Sequence, residues 1–176
     1  MLLRPYLIAI SVCFATISNK NFHVLSALMV EMSSDVIDAL QVHNQARIKA
    51  VGPERPSLIW SESLAGAAHT WAKHLANENT LKHSSSSGQG ENLFSRIGKG
   101  KATFAMAATA WVDEMPLYQG EAIPVGDFEA YGHYTQVIWP NTREVGMASA
   151  KSKQGWTYVV ARYSPPGNYV NQTAWS

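Results

Sequence analysis

The sequence predicts a single α+β domain in which three helices come before a small antiparallel sheet. Apolar residues recur at helical spacing in the first part of the chain and form short extended runs near its end. No repeat or linker separates the two parts. With 176 residues, 46% of them hydrophobic and 15% charged, the chain can bury a core as one globular domain.

The first predicted helix begins at Ser34 or Asp35, either of which is a good N-cap, and its apolar positions start at Val36. It should end near residues 50–52, because Pro53 cannot continue a helix. These caps and breakers predict one helix of about four turns.

Two further helices follow. Ser61 is the expected N-cap of the second, which should end around residues 77–79. The third is predicted from about Ala102 to Met115. Its expected buried side consists of Phe104, Ala107, Ala108 and Trp111.

The remaining segments are predicted as loops and strands. Residues 82–100 are rich in serine, glycine and lysine and should form a loop. Residues 153–155 lie between two apolar runs and include Gly155, which predicts a hairpin turn. The predicted strands are Thr135 to Trp139, Val145 to Ala150 and Thr157 to Arg162.

The first 30 residues have the composition of a leader. Arg4 precedes an apolar run at residues 7–17 that is too short to span a bilayer, a pattern typical of a secretory signal peptide. Small residues allow cleavage anywhere from Ala15 to Ser33, and a buried leader on a cytoplasmic protein is the alternative. We therefore expect a signal peptide at 1–30, a folded domain at 34–170 and no transmembrane anchor.

Charge and cysteine content exclude several functions. The net charge is +1 with no basic block, so nucleic acid is not an expected partner. Cys13 is the only cysteine and lies within the predicted leader. The domain should therefore have no disulfide, no cysteine nucleophile and no cysteine metal site.

Two histidines and two glutamates are candidates for chemistry. His83 and His133 each lie beside a serine- or glycine-containing turn, and Glu91 and Glu114 come from two other segments. If the four met at one cleft, the imidazoles could bind a divalent metal and the carboxylates could orient them. On its own, however, His133 fits a packing residue at the edge of a buried strand better than a residue of a metal site.

His43 and Arg47 have a different spacing. They lie one helical turn apart, which predicts a structural hydrogen-bonding pair and not a metal site. His69 and His74 are five residues apart on the second helix, do not share a face, and are expected to be surface or packing residues.

Four motifs in order resemble those of the CAP superfamily, which comprises cysteine-rich secretory proteins, venom antigens and plant pathogenesis-related proteins. The motifs are His43-Asn44-x-x-Arg47, Gly90-Glu91-Asn92-Leu93, Gly132-His133-Tyr134-Thr135-Gln136-Val137-Ile138-Trp139 and Arg162-Tyr163-Ser164-Pro165-Pro166-Gly167-Asn168. They span nearly the whole predicted domain, so the resemblance to this family extends over almost all of it.

The resemblance implies a three-layer α-β-α sandwich and a central cleft. The cleft would be lined by His83, Glu91, Glu114 and His133, and in some members it binds zinc or another divalent cation through the two histidines. No cation is expected to be required for folding. His74 competes with His83 for its place in the motif, and Asp113 competes with Glu114.

The chain departs from much of the family because it lacks the disulfide cysteines. It has Met147 and Ala161 where many members have cysteine, and residues 158–163 are closer to the cysteine-free, Golgi-associated branch. The leader favours a secreted protein, with an intracellular membrane-associated protein as the alternative.

The resemblance also implies three classes of function. The first is a binding module for a sterol or fatty-acid-like ligand. The apolar residues of the predicted lipid-binding loop would be Leu117, Tyr118, Ile123, Val125 and Phe128. The second is a hydrolase with His83 or His133 as base and Ser84 as nucleophile, although no nucleophile elbow is present. The third is a scaffold that contacts a protein partner in defence, virulence or signalling.

Overall fold

The computed structural model describes residues 32–85, 88–98, 100 and 102–176. The signal peptide predicted at 1–30, including Cys13, lies outside the described residues. The elements are α1 (Ser34–Lys49), β1 (Ile59–Trp60), α2 (Glu62–Glu78), β2 (Gly90–Ile97), α3 (Phe104–Val112), a 3-10 turn (Met115–Leu117), α4 (Phe128–Ile138), β3 (Glu144–Lys151) and β4 (Trp156–Ser164). Among the described residues, we find no helix with the length and hydropathy of a bilayer-spanning segment.

The four strands form one mixed sheet in the order β1-β3-β4-β2. Strands β2 and β3 both run antiparallel to β4, as the prediction of an antiparallel sheet requires. Strand β1 is the exception, because it pairs in parallel with β3 through the register Ile59 to Glu144. A parallel pair needs a crossover connection, and α2 lies within the chain that makes this one.

Helices cover both faces of the sheet, and alternate residues of β4 contribute to the two cores. Tyr158 and Val160 pack with α2 on one face. Val159, Ala161 and Tyr163 pack on the other face with α1, α3 and α4. This alternation follows from the two-residue period of a strand. The three-layer α-β-α sandwich and the α+β fold class are confirmed.

Gly146 allows α2 to lie directly on β3. A Cβ atom at this position would be 2.2 Å from the backbone nitrogen of Ala65 and 2.5 Å from the carbonyl oxygen of Ser61. Any side chain larger than hydrogen would therefore push the start of α2 away from the sheet. This contact fixes the spacing of one outer layer.

The prediction of a strand at Thr135 to Trp139 is wrong, because these residues belong mostly to α4. The segment is rich in β-branched and aromatic residues, which favour strands when judged from sequence. In the structure, Tyr134 to Ile138 are all buried, so tertiary packing outweighs the local preference. The helix ends at Ile138 because Trp139, which precedes Pro140, leaves the helical region with φ −55° and ψ 125°.

The prediction of a loop throughout residues 82–100 is also wrong, because Gly90–Ile97 forms the edge strand β2. Its polar residues, which include Glu91, Asn92 and Arg96, concealed the strand pattern. Strand β2 is held by a continuous antiparallel register with β4 from Gly90 to Ile97. Pairing with the buried strand β4 therefore stabilises β2, although the sequence of β2 does not show a clear strand pattern.

Asp35 links α1 to α3 and is not the N-cap of α1. The N-cap of α1 is Ser33, whose hydroxyl accepts a hydrogen bond from Val36 N, in place of the predicted Ser34 or Asp35. The Asp35 carboxylate instead accepts the backbone N–H groups of Phe104 at 2.9 Å and Ala105 at 3.3 Å. Asp35 thereby stabilises the start of α3, which is shorter than predicted and ends at Val112.

Arg47 is 1% exposed and joins α1 to the end of α4 through backbone carbonyl groups. Its Nη1 donates to the carbonyl oxygens of Val137 at 3.0 Å and Trp139 at 2.9 Å. Its Nη2 and Nε donate to those of Thr142 and Pro56, both at 3.0 Å. Every nitrogen of this buried guanidinium is therefore used, which confirms the predicted structural role of Arg47.

His43, the other residue of that pair, is fully buried. Its Nδ1 lies 2.8 Å from the carbonyl oxygen of Ala39, and its Nε2 lies 2.9 Å from the Tyr163 hydroxyl on β4. Burial, assisted by the nearby charge of Arg47, lowers the pKa of His43 to about 4 despite the hydrogen bond to Ala39. His43 is therefore a neutral link between α1 and the sheet.

We expect Arg47→Met to lower the free energy of unfolding by about 3 kcal/mol or more, because several buried carbonyl groups lose their donors. Lys73→Met, which removes an exposed positive charge on α2, is the matched control and should change it by less than about 0.5 kcal/mol. Denaturant unfolding of the two variants measures the difference. Equal effects would show that the carbonyl contacts of Arg47 contribute little.

We also expect the domain to lose stability as pH falls from about 6.5 to about 4. The unfolded chain protonates its histidine near 6.5, whereas the pKa of His43 in the folded chain is about 4. The unfolded state therefore binds more protons across this window, and the free energy of unfolding falls as pH is lowered. Urea unfolding at several pH values should show a steeper decline for the wild type than for His43→Gln. Parallel curves would contradict the assignment.

Candidate His/Glu cleft

His83, Glu91 and His133 come together at one open cleft of about 390 Å³, and Glu114 contacts His133 from behind. His83 follows α2, Glu91 is the second residue of β2, Glu114 follows α3, and His133 lies within α4. The cleft is lined by His83, Glu91, Asn92, Phe128, Glu129, Gly132, His133 and Asn168. Four separated segments thus contribute the predicted side chains.

The first pair in the cleft is His83 with Glu91. His83 Nδ1 lies 2.7 Å from Glu91 Oε1, which also accepts the backbone N–H of Ser84 at 3.0 Å. Glu91 is 7% exposed and its Oε2 lies 2.9 Å from Arg162 Nη2, whereas the His83 side chain is 63% exposed. Burial acts to raise the pKa of Glu91, but the hydrogen bonds from His83 and Ser84 and the charge of Arg162 outweigh it and lower the pKa.

The second pair is His133 with Glu114, at 2.6 Å between His133 Nδ1 and Glu114 Oε1. The other carboxylate oxygen accepts the backbone N–H groups of His133 at 3.0 Å and Tyr134 at 3.1 Å. The indole ring of Trp111 stacks near the imidazole, with ring centroids 6.2 Å apart. Glu114 therefore holds both the backbone and the ring of His133.

The two pairs share one chemical arrangement. In each, a carboxylate engages Nδ1, which favours the tautomer with the proton on Nδ1 and leaves the Nε2 lone pair for a ligand. Among the described residues, no group of three or more histidine, cysteine, aspartate or glutamate side chains is placed to hold a metal ion. An ion bound here would have His83 and His133 as its protein ligands and would keep open coordination positions.

The alternatives that the sequence left open lie elsewhere. His74 is on α2, where its ring stacks on Trp71 and its Nε2 lies 3.3 Å from Glu78 Oε1. Asp113 is exposed, whereas its neighbour Glu114 meets His133. The geometry therefore favours His83 and Glu114 as the members of the cleft.

The five residues of the predicted lipid-binding loop do not form one surface. Leu117 and Val125 are more than half exposed, and Phe128 is partly buried at the cleft. Tyr118 and Ile123 are only 2% exposed, so their side chains do not contribute to the surface of this loop. The C-terminal segment covers them, since Ala174 N donates to the Tyr118 hydroxyl and Ile123 N donates to the carbonyl oxygen of Gln172, both at 2.8 Å.

Three residues that support the cleft were not predicted as members of it. Asn92 Nδ2 donates to the carbonyl oxygen of His133 at 3.0 Å, and Asn168 Nδ2 donates to that of Gly132 at 2.8 Å. Glu129 lines the cleft one helical turn before His133. The two asparagines lie inside recognised motifs, and the helical spacing of Glu129 would have indicated it had α4 been predicted as a helix.

A separate groove lies between α1 and α3. It has a volume of about 440 Å³ and is lined by Asp38, Gln41, Val42, Gln45, Ala46, Lys49, Val112 and Met115. Met115 is 47% exposed, and Leu117 in the same 3-10 turn is 56% exposed. Apolar side chains thus continue from the groove to the protein surface.

Sequence comparisons place the chain among known proteins. Residues 40–163 match the family model of the cysteine-rich secretory protein family, CAP. Pathogenesis-related leaf protein 4 of Solanum lycopersicum is 35% identical over 157 residues, which cover 85% of this chain and 93% of that protein. Pathogenesis-related protein 1A of Nicotiana tabacum is 39% identical over 140 residues, which cover 77% and 78%.

Solved structures show the same fold. The crystal structure of NaASP2 with Zn2+ is similar with a TM-score of 0.68 and 25% identity, covering 84% of this chain and 88% of that one. The structure of BmVAL-1 is similar with a TM-score of 0.67 and 20% identity, covering 83% and 84%. From its motifs, its fold and these relatives, the chain belongs to the cysteine-rich secretory protein (CAP) family.

Proposed function

We propose that this protein is a binding protein whose His/Glu cleft holds a divalent cation such as Zn2+. The observation that carries the proposal is that His83 and His133 line one cleft, each with its Nδ1 already engaged by a carboxylate. Such carboxylates orient an imidazole ligand and make its other nitrogen more basic. The donor set therefore suits a borderline-soft cation.

The cleft also indicates how such a cation would be held. Two protein ligands are fewer than the four of a structural zinc site, so we expect modest affinity and exchange with solvent. His43 and Arg47, the buried links between helices and sheet, make their hydrogen bonds to other protein groups, so we expect that folding does not require the cation. When bound, the cation would supply a Lewis-acid contact for an oxygen atom of a further ligand.

The relatives support this proposal and its biological setting. NaASP2, which shares 25% identity with this chain, was crystallised with Zn2+. Relatives from tomato and tobacco are named pathogenesis-related proteins, and we extend a role in defence to this chain. Export through the predicted leader fits this role. The alternative location is an intracellular membrane-associated one. The alternative function is that of a scaffold that contacts a protein partner.

The contacts of Ser84 favour binding over the hydrolase alternative. Its hydroxyl accepts a hydrogen bond from Arg162 Nη2 at 2.9 Å and also interacts with the Glu91 carboxylate. A serine nucleophile needs an imidazole base at its hydroxyl, whereas His83 directs Nδ1 to Glu91. These contacts are those of a residue that stabilises the Glu91 side chain.

A second proposal concerns the groove between α1 and α3. We propose that it takes the apolar part of a sterol or fatty-acid-like ligand. Its volume of about 440 Å³ and the exposed Met115 and Leu117 beside it support this location. The groove replaces the predicted loop as the proposed site, because Tyr118 and Ile123 are buried.

We expect Zn2+ to bind the purified domain with one saturable site, and His83→Ala or His133→Ala to weaken the affinity at least about tenfold. Glu114→Gln should weaken it about 10- to 100-fold, because it removes the group that orients His133. Isothermal titration calorimetry measures these affinities. His74→Ala and Asp113→Asn, which change neighbouring residues outside the cleft, are the matched controls. Equal losses in variants and controls would contradict the site.

For the groove, we expect a fluorescent fatty acid or sterol to bind saturably and Met115→Glu to weaken that binding at least about tenfold, since a charge in an apolar site is costly. Val125→Glu places the same charge at an exposed residue of the predicted loop and should have little effect. The opposite pattern would assign the ligand to the loop. Absence of saturable binding to the wild type would refute the lipid proposal.

A further inference from the structure

Arg162 lies next to Glu91 beneath the cleft. It is on β4, directly opposite Glu91 on β2, so the two side chains project from the same face of the sheet. That face is the one covered by α2, where Val160 and Tyr158, two and four residues earlier on β4, also pack. The Arg162 side chain is only 4% exposed. A buried guanidinium at this place requires an explanation.

The contacts of Arg162 converge on the group that orients His83. Its Nη2 lies 2.9 Å from Glu91 Oε2, in an ion pair without hydrogen-bond alignment, and donates to the Ser84 hydroxyl at 2.9 Å. The other oxygen of Glu91 contacts His83 Nδ1 and accepts the Ser84 N–H. Arg162 therefore acts on both residues that surround the His83 imidazole.

Comparison with Arg47 indicates that Arg162 does more than stabilise the fold. All three nitrogens of Arg47 donate to carbonyl oxygens. In Arg162, by contrast, Nε and Nη1 are buried without a hydrogen-bond partner among the described residues. Unsatisfied buried donors cost stability, and a buried ion pair of this kind is often no more stable than apolar residues of similar size. The contacts that Arg162 does make go to Ser84 and Glu91 at the cleft, whereas those of Arg47 go to backbone carbonyl groups between helices.

His83 needs such support more than His133 does. The His83 side chain is 63% exposed, and Glu91 supplies the hydrogen bond that orients it. His133 is 29% exposed, lies within α4 beside Trp111, and has a glutamate held by two backbone N–H groups. Exposed histidine–carboxylate pairs are weak unless one partner is fixed. In this chain, the fixed partner of His83 is Glu91.

We propose that Arg162 is a positioning residue of the cleft: it holds Glu91 through Oε2 so that Oε1 orients His83, and it does not act on His133. The consequence for cation affinity rests on the proposed cation site. The orientation of His83 does not, because it can be measured on the protein without any cation.

The test is side-chain NMR of the two histidines at a fixed neutral pH in the absence of metal, using long-range correlations that report the imidazole tautomer. In the wild type, we expect both His83 and His133 to carry the proton on Nδ1. In Arg162→Met, the His83 signals should change to those of mixed tautomers, and the His133 signals should stay unchanged. Arg162→Lys, which keeps a positive charge beside Glu91, should restore part of the wild-type His83 signal. Arg96→Met, at an exposed arginine of β2, is the matched control.

Unchanged His83 signals in a folded Arg162→Met variant would overturn the proposal, as would equal changes at His83 and His133. If Arg162→Met does not fold, Arg162→Lys and Arg162→Gln decide the question, since only the charged variant should keep the His83 tautomer. Zn2+ titration of the same variants should show affinity lowered about 10- to 100-fold in Arg162→Met. Failure of the wild type to bind Zn2+ would refute the cation proposal, whereas the tautomer result would still judge the role of Arg162.

Discussion

The buried charge of Arg47 is the constraint on which the arrangement of the helices depends. A guanidinium removed from water must find acceptors, and Arg47 finds them in the carbonyl groups of Val137, Trp139 and Thr142, where α4 ends and the chain turns toward β3. Helix α1 is thereby tied to the end of α4, and no carboxylate in the described part of the chain pairs with Arg47. Because α4 also carries His133, the same contacts limit where the cleft can form.

A second set of buried contacts links this frame to the cleft. His43 on α1 contacts the Tyr163 hydroxyl on β4, which accepts a hydrogen bond from Asn92 Nδ2 at 3.3 Å. Asn92 on β2 also donates to the carbonyl oxygen of His133. Hydrogen-bonding groups on α1, β4 and β2 therefore form one network that reaches the backbone of His133, a proposed metal-binding residue. Networks of this kind favour a single packing arrangement when their members are bonded, and the backbone of His133 belongs to this one, whereas the described contacts of His83 are with Glu91.

Much of the fold could be predicted because caps, breakers and apolar periodicity act locally. Ser61, Pro53 and the alternating residues of β4 indicated their elements correctly. The strand wrongly predicted at Thr135 to Trp139 shows where local patterns fail. This part of α4 is buried on several sides, so its run of β-branched and aromatic residues resembles that of a buried strand. The cleft was predicted from family motifs, but the role of Arg162 was not. It depends on the cross-strand register with Glu91, which no local pattern reveals.

Because glutamates hold both Nδ1 atoms, we expect the two histidines of the cleft to share one cation through their Nε2 atoms. A crystal soaked in Zn2+ and measured at the zinc absorption edge tests this most directly. We expect one anomalous peak between His83 Nε2 and His133 Nε2, with Glu91 and Glu114 still at the two Nδ1 atoms. A peak on either Nδ1, or zinc bound only away from the cleft, would contradict it.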